Sequence, residues 1–200
     1  MAEAFLGVER SLMGRLWLAR NYNKRLALTI AQRLAVSEVV GRVLDSRGIT
    51  IENSTNFLNP TLKDQLPDPA HLKDMNIAAQ RLSRAVIEGE KIAIFGDYDV
   101  DGATSSALLK QFFTHVGSKV KVIIPDRIRD GYGPNTKALL KLREEKFSVV
   151  VTVDCGTTSF EPIEAAMNAG LDVIVVDHHE SEATLPNATA IVNPNRMDDD

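Results

Sequence analysis

The sequence predicts an α/β fold: a doubly wound, mainly parallel sheet preceded by a small helical amino-terminal segment. Three observations predict it. Short runs rich in β-branched residues, KIAIFG, KVKVII, SVVVTV and DVIVV, recur between residues 91 and 176. Helix-like segments at 103–116, 135–145 and 159–169 separate them. The runs are nearly continuously apolar, as strands covered on both faces are, and strand–helix alternation builds parallel βαβ units.

Taken in chain order, residues 1–33 are locally basic. Arg10, Arg15, Arg20, Lys24, Arg25 and Arg33 stand against Glu3 and Glu9, and Trp17 is the only tryptophan. SEVVGRVLDSRG (37–48) reads as a helix with Ser37 as cap and Gly48 as stop. TIENSTNFL reads as a second short helix ending at Asn59-Pro60, and TLKDQLPDPA (61–70) as a linker. Leu72, Met75, Ala79, Leu82 and Val86 recur at helical spacing and predict an amphipathic helix over 71–88. The strands follow. Thr158 with Glu161 forms a capping-box start for the helix that Gly170 stops, and TAIVN (189–193) is a further short strand. The expected division is a helical segment and linker over 1–70 and an α/β core over 71–200.

With 200 residues, 44% hydrophobic and 25% charged, the chain is long enough to bury a core. The net charge of −4 gives no sign of nucleic acid, although an acidic site changes its charge once a metal fills it. The single cysteine, Cys155, excludes an internal disulfide and a cysteine-held zinc cluster. No run approaches the roughly 18 apolar residues of a membrane span, and the start is unlike a signal peptide, so the expectation is a cytoplasmic protein.

Ligands of such sheets sit at the carboxyl ends of the strands. There the first run leads into Asp97-Tyr98-Asp99-Val100-Asp101-Gly102, the third into Asp154-Cys155-Gly156 and the fourth into Asp177-His178-His179. If the first segment stays extended, Asp97, Asp99 and Asp101 project to one side. Unpaired carboxylates so close repel one another, and a divalent cation removes the penalty. Oxygen-rich sites with one or two imidazoles suit Mn²⁺ or Mg²⁺, and so many carboxylates suit two ions, the arrangement used for phosphoester hydrolysis. Gly102 then permits a close turn into a helix opening at Ala103, where Thr104 and Ser105 are placed to hold a phosphate. Arg127 and Arg129 in IPDRIRDGYG are candidates for gripping backbone phosphate, and Tyr132 for stacking on a base.

Plainer readings stand beside these. Asp154 alone reads equally as a helix cap, a His-His pair as surface, and the arginine loop as an exposed charged turn. DYDVDG resembles the start of a calcium loop, but the twelfth position is Leu108 rather than Glu. His71 and His115 are isolated, and Cys155 reads as a small buried filler.

DYDVDG, VDCG and DHH, in this order on successive βα units, resemble motifs one to three of the DHH phosphoesterase superfamily. With FLGVERSLMGRLW, FLNP, IPDRIRDGYG and IVNPN they resemble its single-strand-specific 5′-to-3′ exonuclease branch over nearly the whole chain. The resemblance implies a DHH-type core and two Mn²⁺ or Mg²⁺ ions. It also implies hydrolysis of single-stranded DNA from the 5′ end in repair and recombination. Asp97, Asp99 and Asp101 would be ligands of the first motif, Asp154 the carboxylate shared between ions and His178 a ligand of the second. His179 would contact the scissile phosphate and Asp177 would orient the pair.

Partners implied in the same way are single-stranded DNA, a single-stranded-DNA-binding protein and a repair helicase, with no membrane and a monomeric state. Related pyrophosphatases and small phosphodiesterases carry a ligating histidine where this chain has Phe95, and Asp97 would take over that role. A fourth motif, a DHHA1 domain and an OB-type domain do not occur within these residues. The chain is therefore expected to be an amino-terminal fragment, weakly active or inactive alone. The rival readings are a pyrophosphatase or short-oligonucleotide phosphodiesterase, a receiver-like phosphoacceptor module, and a scaffold that lost catalysis.

Overall fold

The computed structural model describes residues 4–199. Contacts divide it between Pro67 and Asp68 into two compact units. Among the described residues, no helix is long and apolar enough to cross a membrane.

In the first unit a 3₁₀ turn, Phe5–Gly7, precedes four helices: α1 (Lys24–Leu34), α2 (Glu38–Ser46), α3 (Ile51–Leu58) and α4 (Leu62–Gln65). Each is capped by a short polar side chain, respectively those of Asn23, Ser37, Thr50 and Thr61. Helix α1 lies inside the lead segment that the sequence marks only as basic. Its Ala27, Ile30 and Ala31 form the buried stripe. Gly41 of α2 is required there, since a Cβ would stand 2.2 Å from the Ala27 carbonyl oxygen. The expected linker is partly ordered, holding α4 and a 3₁₀ turn, Pro69–His71, capped by Asp68.

The second unit runs α5 (Met75–Ile87), β1 (Lys91–Gly96), α6 (Val100–His115), β2 (Lys119–Ile123), α7 (Thr136–Glu144), β3 (Val149–Val153), α8 (Phe160–Asn168), β4 (Asp172–Val176) and β5 (Ala190–Val192). All five strands are parallel, in the order β2-β1-β3-β4-β5. One face, with Ala93, Phe95, Val150 and Val173, packs on Leu139 and Leu142 of α7 and Ile163 of α8. The other, with Ile92, Ile94, Val151 and Ile174, packs on Ala78 and Ala85 of α5 and Phe113 of α6. The sheet is doubly wound, as the apolar runs predict. Each fully buried aliphatic side chain contributes about 1.5–3 kcal/mol, which lets the fold tolerate unfavourable charge at one rim.

Two local expectations are corrected. The first-motif segment does not stay extended: β1 ends at Gly96, and α6 begins at Val100 rather than Ala103 with Asp99 as its N-cap. The last β–α turn is headed by Ser159, with no side-chain cap, rather than by Thr158.

Candidate metal centre

In a sheet of order 2-1-3-4-5 the crossovers diverge between β1 and β3, and a crevice opens beyond their carboxyl ends. The main chain sets the polar residues on that rim. Asp97 N–H donates to Val153 O (3.3 Å), Asp154 N–H to Val176 O (2.9 Å) and Asp177 N–H to Val192 O (3.0 Å). Each aspartate thus makes the last rung of its strand. Asp154 is held at φ 61°, a left-handed conformation that aspartate tolerates better than most residues. Gly102 lets the first turn of α6 approach the Asp97 backbone, where a Cβ would stand only 2.4 Å from Asp97 O.

Two sets of side chains have ligand atoms within 4.8 Å of one another: Asp97, Asp99 and Asp154, and Asp154, His178 and His179. Asp154 belongs to both. His178 Nε2 lies 3.0 Å from Asp154 Oδ1. The Asp97 and Asp154 residues are only 4% and 5% exposed, yet Asp97 Oδ1 and Asp154 Oδ2 are buried without a hydrogen-bond partner. Buried polar atoms are nearly always satisfied, so two orphaned oxygens in one crevice call for a cation. Burial, and then the neighbouring Asp99, push the Asp154 pKa up. The backbone N–H of Gly102, followed by Asp154, holds that of Asp99 down. A donor set of carboxylates and imidazole fits Mn²⁺ or Mg²⁺.

Asp177 does a different job. Its Oδ2 accepts from Thr157 N–H (3.0 Å), and its Oδ1 from the backbone N–H groups of His178 (2.8 Å) and His179 (3.2 Å). The same Oδ1 lies 2.7 Å from His179 Nδ1. Burial opposes its charge, but the His179 and Thr157 hydrogen bonds outweigh burial and hold its pKa below the usual carboxylate range. That hydrogen bond in turn raises the His179 pKa.

Other expected residues divide. Asp101 sits exposed in the first turn of α6 and joins neither set, because the helix starts before it. At Thr104 and Ser105, the expected phosphate seat, part of the helix start is already engaged. Asp99 Oδ1 already accepts the N–H groups of Asp101 (2.9 Å) and Gly102 (3.1 Å), and the Thr104 hydroxyl donates back to Val100 O (2.7 Å). Arg127 and Arg129 are exposed on a loop whose turn Asp126 closes by accepting from Ile128 and Arg129 N–H. The Arg127 guanidinium lies over the Tyr98 ring at 5.2 Å, next in sequence to Asp97. Cys155 is the buried filler expected, and burial raises its thiol pKa. Phe95 is fully buried in the core and offers no ligand.

Tyr132, read from the sequence as a candidate for stacking on a base, has its hydroxyl donating to Asp154 O (3.3 Å) and lying 3.3 Å from His179 Nδ1, with its ring edge-on to the imidazole. Sequence reasoning missed two further contributors. Thr157 and Asn193 form a buried brace behind Asp177, with Asn193 Nδ2 donating to Thr157 Oγ1 (2.8 Å). The available signal was a cluster of small polar residues directly after strands, which periodicity does not register.

A family model, DHH family, N-terminal domain, matches residues 91–200. The chain belongs to the DHH family. This DHH chain is similar to the single-stranded-DNA-specific exonuclease RecJ of Bacillus subtilis (strain 168), with 35% identity over 89% of this chain and 23% of that protein. It is also similar to RecJ of Escherichia coli (strain K12), with 37% identity over 78% of this chain and 27% of that protein. It therefore spans about a quarter of the length of these relatives. Among solved structures, RecJ in complex with Mn²⁺ from Thermus thermophilus superposes with a TM-score of 0.71 and 26% identity, over 90% of this chain and 25% of that one. Exonuclease RecJ bound to manganese gives 0.59 and 34%, over 64% and 33%.

Proposed function

We propose that this chain carries the first metal-binding half of a 5′-to-3′ exonuclease acting on single-stranded DNA in the cytoplasm, in repair and recombination. The single observation behind the reading is the pair of ligand-spaced sets joined at Asp154, with orphaned oxygens on Asp97 and Asp154. Asp97, Asp99 and Asp154 would hold one Mn²⁺ or Mg²⁺ ion, and Asp154 with His178 the second. Solved structures of RecJ with Mn²⁺ and with Mg²⁺ support both metals. Two such ions, when bound, supply an acidified water and offset charge on the phosphate being cleaved.

The chain's own groups account for the remainder. His179, whose pKa is raised by its hydrogen bond to Asp177, would in its protonated form donate a hydrogen bond to a nonbridging phosphate oxygen. Asp154, fixed by its left-handed backbone and by Tyr132, presents its carboxylate to both ion positions. Arg127 and Arg129 bind the strand's phosphates bidentately at the crevice mouth. The curated relatives are about four times longer, so these residues alone are expected to turn over weakly or not at all.

The test uses a protein of the relatives' length that contains this chain, supplied with Mn²⁺. Long single-stranded DNA, dinucleotides and pyrophosphate are compared as substrates. Long single strands should be degraded from the 5′ end, and Asp154→Ala should abolish turnover while leaving the fold intact by circular dichroism. Preference for pyrophosphate, or retained turnover in Asp154→Ala, would overturn the reading.

A further inference from the structure

Residues 177–179 leave β4 without entering a helix, so no regular structure orients the two histidines. Their main chain is nevertheless fully engaged. Both N–H groups end on Asp177 Oδ1. Both carbonyls end on asparagine amides: His179 O accepts from Asn193 Nδ2 at 2.9 Å, and His178 O from Asn195 Nδ2. All four backbone polar groups of the pair are thus held by side chains.

We infer that Asn193 and Asn195, delivered by the edge strand β5, are positioning residues for the two site histidines. This rests on the metal-site reading above and adds to it a brace from a separate strand. The parallel register pairs Val176 with Val192, which sets Asn193 beside Asp177. Asn193 is fully buried, and its amide is used at both ends. Nδ2 reaches Thr157 Oγ1 (2.8 Å) as well as His179 O, and Oδ1 accepts from Asn195 N–H (2.8 Å). That last bond is an Asx turn, which Pro194, between the two asparagines, makes rigid. Thr157 closes the ring, since its N–H donates to Asp177 Oδ2.

Covering the sheet edge would need only an apolar or β-branched residue at position 193. A buried amide on the His179 carbonyl, with Asn195 on that of His178, instead fixes the direction of both imidazoles. Outer partners of this kind set ligand orientation, and their loss weakens metal binding about 10- to 100-fold.

The experiment compares the chain itself with Asn193→Asp, Asn195→Ala and, as a stability control, Ile191→Val, a core-facing change on the same strand. Imidazole ¹⁵N shifts of the metal-free proteins, Mn²⁺ affinity by electron spin resonance and melting temperature are measured. Both asparagine variants should move the His178 and His179 resonances and raise the Mn²⁺ Kd roughly tenfold. Ile191→Val should lower the melting temperature with neither change. Wild-type resonances and Kd in the asparagine variants would overturn the inference, whatever happens to their melting temperature. Asn195 is exposed, so Asn195→Ala decides the matter should Asn193→Asp fail to fold. If the parent chain takes up no Mn²⁺, the metal-site reading falls, and the imidazole shifts still decide whether the asparagines orient the histidines.

Discussion

The two rims of the sheet carry comparable numbers of charged groups and treat them in opposite ways. At the amino-terminal rim Glu90, Asp172 and Glu145 each meet a base. Arg81 pairs with Glu90 (2.8 Å) and with Asp172, Lys121 pairs with Glu145, and Lys91 Nζ donates to Glu145 O (2.9 Å). At the carboxyl-terminal rim Asp97, Asp99, Asp154 and Asp177 pair with no described lysine or arginine. Only the two histidines approach them closely. At one rim the named charges are matched in pairs, although Arg81 Nη1 is itself buried without a partner; the other is left with surplus negative charge and two unpartnered carboxylate oxygens. The difference separates charge that serves the fold from charge that awaits a ligand.

The largest expected effect comes from completing the acidic rim. Mn²⁺ at 100 times its Kd should stabilise the chain by about 2.7 kcal/mol, read by chemical denaturation. Asp154→Asn should lose that response and, without metal, be more stable than the parent, because it removes a buried charge that burial and the neighbouring Asp99 both disfavour. A metal response surviving in Asp154→Asn would place the cation elsewhere and break the contrast. Somewhat smaller is the effect of breaking the paired rim. Arg81→Met should cost about 2 kcal/mol, the value of charged hydrogen bonds lost together with two acids left unpaired, and should leave Mn²⁺ affinity unchanged. A shift in that affinity would show the rims to be coupled.

The smallest effect is pH-dependent. Pairing with Asp177 raises the folded-state pKa of His179 above its ordinary 6.5. Its contribution is therefore complete below that value and lost as pH rises through the folded pKa. Asp177, held below 3.8, contributes above that value and loses the contribution as pH falls through its folded pKa. The metal-free chain should be most stable between the two, and His179→Gln should flatten the alkaline decline. Because His179 is half-exposed, about 1 kcal/mol or less is at stake. A melting profile that keeps its alkaline slope in His179→Gln would assign the slope to another group.

Strand identity was legible in the sequence because the buried strands are short, nearly continuous apolar runs rich in β-branched residues, and the parallel order put Asp97, Asp154 and Asp177 on one rim. The conformation after β1 was not legible. Alternation at positions 97, 99 and 101 reads equally as an extended chain or as a helix cap, and capping prevails because Asp99 satisfies two amides that would otherwise be free. That choice turns Asp101 away and leaves Thr104 facing its own helix. Helix α1 escaped notice because its charges are conspicuous while its buried stripe is only three small or branched residues. The asparagine brace also escaped: a three-residue strand carries almost no periodic signal, and what Asn193 does depends on neighbours far away in sequence.

The final rungs of β1, β3 and β4 are donated by Asp97, Asp154 and Asp177 themselves. A sheet that frays by one residue at this rim therefore loses its ion pocket in the same motion. A cation seated there would act as a clasp, chiefly retarding the opening of these three amides to solvent hydrogen exchange. The timing of that exchange would then report occupancy directly, with no DNA present.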